Sequence, residues 1–131
     1  GGEGWYQEEG KPARRLMAGD VVVTHNMLVN DPEVSVGVGN VTFEPGCRNH
    51  WHVHTDGYQI LLVTGGEGWY QEEGKPARRL MAGDVVVTHK GIKHWHGATK
   101  DSWFEHLAIT AGNSEFLEPV TDEVYEGLEN Q

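Results

Sequence analysis

From residue 34 onward, apolar and polar positions alternate in short runs with glycine between them. The period of two predicts strands over 34–43, 49–54, 58–63, 68–71, 78–80, 85–89, 93–97 and 103–110. Turn chemistry separates them: Pro45-Gly46, Asp56-Gly57, a hairpin turn carrying Gly74, and Gly83-Asp84. Gly65-Gly66 is expected to break the strand that precedes it. Many short strands at spacings near ten residues imply an all-β sandwich or barrel. Helical signal is confined to the acidic C-terminus. There Thr121 is placed to N-cap a turn bearing Asp122 and Glu123, with Val124, Tyr125 and Leu128 as its apolar side.

The pattern also contains a repeat. Residues 1–25 and 65–89 are identical letter for letter. Solenoid repeats drift and need more than two copies, so this is not a stacked array. The downstream copy follows the apolar run 60–63 and leads into KGIKHWHG, a setting that suits it. Residues 1–25 therefore read as a duplicated leader, an extra strand or hairpin, and 26–131 as the domain. Its last stretch flows into 26–29, which predicts one long strand over about 21–29. No chemistry is expected of the leader itself, which sets aside His25 together with its twin His89.

Composition narrows the function classes. Ten basic against 20 acidic residues give a net charge of −10. The leader carries three basic and four acidic residues, so the acidity belongs to the domain. That balance argues against nucleic acid and against anionic membrane surfaces. A single cysteine, Cys47, excludes an internal disulfide and a cysteine-rich zinc module. No apolar run approaches the ~20 residues of a membrane span, and no secretory leader is visible, so a cytoplasmic location is expected.

Histidine is the informative residue. There are eight, and five fall in two strings, HWHVH at 50–54 and HWH at 94–96. On a strand, side chains two apart share a face. His52 and His54 therefore point together, opposite Trp51 and Val53, and His94 and His96 point together, opposite Trp95. Two imidazoles on one face are within reach of a common metal, and neutral imidazole is a favoured transition-metal ligand. His106 lies in another alternating strand, from which it can approach the same centre. His106 and His96 are the candidate proton carriers. Asn40 and Thr42 alternate with Val41 and Phe43. They are expected to line the pocket, the alternative being that the polar pair meets water. The nearest carboxylate, Asp56, sits in a turn and is expected to be solvated.

These residues carry a resemblance. Gly46-x5-His52-x-His54-x4-Gln59-x6-Gly66 resembles the first cupin motif, with Gln59 where many cupins have Glu. Gly83-x5-His89-x-Gly91-x2-His94 resembles the second, with His89 where Pro is usual. Together with VTFEPG and GDVVV, they make the chain similar to small single-domain bacterial cupins, and within these to manganese-dependent, hydroxynitrile-lyase-like cupins. The resemblance implies a jelly-roll β-barrel with a short C-terminal helix. It implies His52, His54, Gln59 and His94 as metal ligands, a small-molecule substrate, and a homodimer or larger homo-oligomer. It favours manganese, although the donor types suit iron, cobalt, nickel or zinc equally.

Three histidines and one glutamine are all neutral, so a bound divalent ion keeps its full charge as a Lewis acid. The leading expectation is a metal-dependent lyase that makes or cleaves a cyanohydrin, with His106 or His96 as general base. The alternatives are a non-haem iron dioxygenase and a metal- or small-molecule-binding protein without turnover.

Overall fold

The computed structural model describes residues 4–6, 14–16 and 23–130. The strands are β1 (Gly4–Tyr6), β2 (Arg14–Leu16), β3 (Val23–Met27), β4 (Gly37–Phe43), β5 (His52–His54), β6 (Tyr58–Glu72), β7 (Arg78–Met81), β8 (Val85–Thr88), β9 (His94–Ala98), β10 (Phe104–Ala111) and β11 (Ser114–Phe116). One short α-helix, α1 (Asp122–Glu126), and a 3-10 turn follow. None of these helices is long and apolar enough to cross a membrane.

Two antiparallel sheets share β6. One runs β3-β4-β10-β6-β8 and the other β11-β5-β9-β6-β7. The expected break at Gly65-Gly66 is instead a bend within a 15-residue strand. Up to Gly66 the strand pairs with β8 and β10, and beyond it with β7 and β9. The ladder slips between Glu105 and His106, which face Gly65 and Val63. Thr64 is the extra residue of this bulge, which turns the strand from one sheet into the other. Gly66 has φ of 71°, and a Cβ there would collide with the Trp103 carbonyl. Glycine is required at the bend, and the pairing on either side survives it.

Elsewhere the expected strands form with shifted ends. The run at 34–43 becomes a strand only from Gly37, and that at 49–54 only at His52. β11 was not expected: three exposed residues hold too little alternation to register, yet they pair with β5 from Ser114↔His54 to Phe116↔His52. β3 occupies the middle of the expected 21–29 strand and pairs with β4. β1 and β2 pair with Gly4↔Leu16, Trp5↔Arg15 and Tyr6↔Arg14. The downstream copy pairs in the same register: Gly68↔Leu80, Trp69↔Arg79 and Tyr70↔Arg78.

Two apolar clusters result. Val41, Phe43, Leu61, Val63, Leu80, Val86 and Phe104 fill the space between the sheets. Trp69, Trp95, Val120, Tyr125 and Leu128 form the second, under the C-terminal helix. Thr121 caps that helix, its hydroxyl accepting from Val124 N at 3.2 Å. Tyr125 donates to the Ala98 carbonyl at 2.7 Å, and the Arg48 guanidinium lies 4.3 Å from its ring centre. Val124, expected on the apolar side, is exposed instead. The HWH string of β9 now has a physical reading. Its two histidines face between the sheets, and Trp95 between them faces the helix.

Candidate metal centre

His52 and His54 on β5 and His94 on β9 meet because the two strands are neighbours, with His52 directly opposite His94. All three are buried, and one ring nitrogen from each lies within 4.8 Å of the others. The opposite face of each ring is fixed. His52 Nδ1–H donates to the His50 carbonyl at 2.8 Å, and His94 Nδ1–H to the Ile92 carbonyl at 2.9 Å. Ser114 Oγ lies 3.0 Å from His54 Nδ1. These contacts leave Nε2 of His52 and His94 with its lone pair. Burial pushes His52 down to about 4 and His94 to about 3, and it lowers His54 as well. All three are neutral at pH 7, the form that coordinates a metal.

Gln59 stands beside His54. Its Nε2 donates to Thr110 Oγ1 at 3.0 Å, which leaves Oε1 uncommitted. Nε2 of His54, Nε2 of His94 and Oε1 of Gln59 are all buried without a hydrogen-bond partner. Orphaned acceptors in one cluster are costly in a folded protein. A bound divalent cation would satisfy them together, so the residues fit the metal that the sequence resemblance implies.

His52, His54 and Gln59 line a cavity of about 430 Å³, with His94 behind them. Its wall is largely apolar, built from Val41, Phe43, Ala108, Met27 and Phe116 among others. No Asp or Glu lines it among the described residues. Asp56 accepts from Asn113 N and Nδ2 in an exposed loop, which is the turn role expected of it.

His96 and His106 face the same cavity as a bonded pair, with His106 Nε2 3.1 Å from His96 Nδ1. His96 is nearer the cluster, its ring centre 5.5 Å from that of His52 and 4.8 Å from that of His106. Asn49 fixes it: Oδ1 accepts from His96 N at 2.9 Å, and Nδ2 lies 3.2 Å from His96 Nε2. Burial lowers His106 to about 4 and His96 well below its usual value. His106 Nδ1 is buried with no hydrogen-bond partner.

Asn40 and Thr42 are a correction. The cavity takes Gly39, Val41 and Phe43 from β4, and the polar pair faces outward. Thr42 Oγ1 donates to Glu105 Oε2 at 3.0 Å on that outer face. The apolar parity of the strand belongs inside, because Val41 and Phe43 join the core. The sequence reading also missed residues. Asn49 and Ser114 hold histidines in place, and His25 lines the cavity. Its signal was the i, i+2 spacing of Val23, His25 and Met27, which puts all three on one face of β3.

Comparisons with known proteins bear on the family and the fold. The family model described as a cupin domain matches residues 39–110. An (R)-mandelonitrile lyase from Granulicella tundricola is 42% identical over 123 residues, spanning 91% of this chain and 92% of that protein. A cupin-like protein from Thermotoga maritima, known by crystal structure, is 46% identical with a TM-score of 0.77, covering 81% of this chain and 84% of that one. A DMSP lyase from Ruegeria pomeroyi shares the fold at 22% identity and a TM-score of 0.63, covering 92% of this chain and 64% of its own.

Proposed function

The chain belongs to the cupin domain family, and from that premise we propose that it is a metal-dependent lyase of the hydroxynitrile type. The reaction cleaves a cyanohydrin into an aldehyde and hydrogen cyanide, or runs in reverse. The observation that carries the reading is one largely apolar cavity onto which a three-histidine cluster opens through His52 and His54, and which a separate histidine pair also lines. The 42% identity to a mandelonitrile lyase over most of both chains supports it.

His52, His54, His94 and Gln59 would hold the cation, with manganese the favoured ion. Bound there, a divalent ion supplies Lewis-acid polarisation of the substrate oxygen. The protein's own part is proton transfer and shape. The cyanohydrin hydroxyl gives its proton to an imidazole of the His96–His106 pair as the carbon–cyanide bond breaks. The same proton then leaves on the cyanide, so none is gained or lost. His106 suits this task because it faces the cavity held by His96, while His96 is tied to Asn49 as well. Neutral rings are the accepting form. The apolar wall takes the body of the aldehyde and keeps water from it.

The test is release of benzaldehyde from mandelonitrile by protein loaded with Mn(II), with and without a chelator. Turnover lost on chelation and reduced a hundredfold or more in His106→Ala is expected. No metal-dependent benzaldehyde release under any divalent ion would overturn the reading.

A further inference from the structure

His25 is the cavity residue for which the lyase reading has no use. It lies on β3, the edge strand of its sheet, directly opposite Val41 of β4. On the other side of Val41 stands His106 of β10. His25, Val41 and His106 thus form one row across three strands, all facing the cavity. The lining changes from buried to exposed along its length. His52, His54 and His106 are fully enclosed, whereas His25, Met27 and Phe116 are exposed. The mouth therefore lies between β3 and β11; Phe116 on its β11 side stands 5.2 Å from the His52 ring, whereas His25 stands on its β3 side, at the far end of the row that begins at His106.

The ring is given room. A Cβ on Gly39 would collide with His25 Nε2, so the absent side chain at 39 is the space that the imidazole occupies. The other polar cavity residues are engaged: Gln59 with Thr110, His54 with Ser114, His96 with Asn49 and His106, and His52 with its own strand. Among the described residues, His25 alone of the polar lining has no hydrogen-bond partner.

We propose that His25 is a substrate-binding residue that hydrogen-bonds a polar substituent at the end of the substrate remote from the histidine cluster. The substituent is a hydroxyl rather than a carboxylate. The described lining offers no Lys or Arg to meet an anion, and the chain as a whole carries −10. The preferred substrate is then a cyanohydrin whose aromatic or branched body bears a distal hydroxyl. This inference rests on the lyase reading for its reacting end and goes beyond it at the other.

The experiment compares 4-hydroxymandelonitrile with mandelonitrile in wild type, His25→Ala and Gly39→Ala. Wild type should favour the hydroxylated substrate. His25→Ala should lose that preference by roughly three- to tenfold, as a higher KM at similar kcat. Gly39→Ala, which displaces the ring rather than removing it, should lose preference in the same direction. Equal preference in all three proteins, with unchanged thermal unfolding, overturns the proposal. A second readout does not depend on turnover: the His25 ring resonances of histidine-labelled protein, titrated with 4-hydroxybenzyl alcohol and with benzyl alcohol. A response to the first alone supports the role of His25 even if neither cyanohydrin is cleaved. Turnover of both substrates with His25 unresponsive sinks the proposal and leaves the lyase reading standing.

Discussion

His106 is buried beside Phe43 and Phe104 and is neutral at pH 7, its pKa lowered to about 4 by loss of solvent. An unfolded chain restores a value near ~6.5. Between the two, the unfolded state binds the extra proton, so stability falls as pH drops through that window. A gap of that size is worth on the order of 3 kcal/mol. Urea titrations of the metal-free protein should show midpoints falling from pH 7 to pH 4.5. In His106→Leu the dependence should be shallower by about one proton, and an unchanged slope would show that His106 is not held neutral. The clustered histidines were legible from spacing, because i, i+2 on a strand fixes a shared face whatever the tertiary partner. Which face points inward is a different matter. Alternation separates Asn40 and Thr42 from Val41 and Phe43 without saying which pair faces the pocket, and β4 turns its apolar parity inward. Ser114 was beyond reach, since it sits on a strand with no pattern of its own and its partner is 60 residues away.

Among the elements, β6 decides the architecture, because one strand serves both sheets. Gly66 makes this possible at a positive φ where the Trp103 carbonyl leaves no room for a Cβ. Gly66→Ala should cost about 2–4 kcal/mol, from backbone strain and a steric clash, measured as a lower urea midpoint. Gly65→Ala, with nothing near its Cβ position, should cost much less. A result with the two reversed would place the bend elsewhere. Sequence reading correctly marked the glycine pair but took it for an end. A local pattern shows that a strand deforms there, and only the partners on each side show that pairing continues. The same limit hid β11. The helix was legible down to its cap, because Thr121 acts on its own next turn and needs no distant partner.

At the scale of the molecule, the proposed metal ties β5, the first half of β6 and β9 into one unit. Removing it should loosen all three together. With the ion at a hundred times its Kd, the lost stabilisation is about 2.7 kcal/mol, and chelation should lower Tm by on the order of 10 °C. Calorimetry with and without chelator checks this; an unchanged Tm would mean that no ion is held. The fold class was legible from strand spacing, and the resemblance carried the barrel. The repeated strand pairing has a consequence for how the chain reaches its fold. Residues 4–6 pair with 14–16 as residues 68–70 pair with 78–80, so one register occurs at two places in the chain. Two segments can therefore offer the same edge to β9 while the barrel assembles. The downstream copy holds the position by continuity with Tyr58–Gly66, which shortens the loop that must close. The upstream copy, with the same register, competes for that edge during folding.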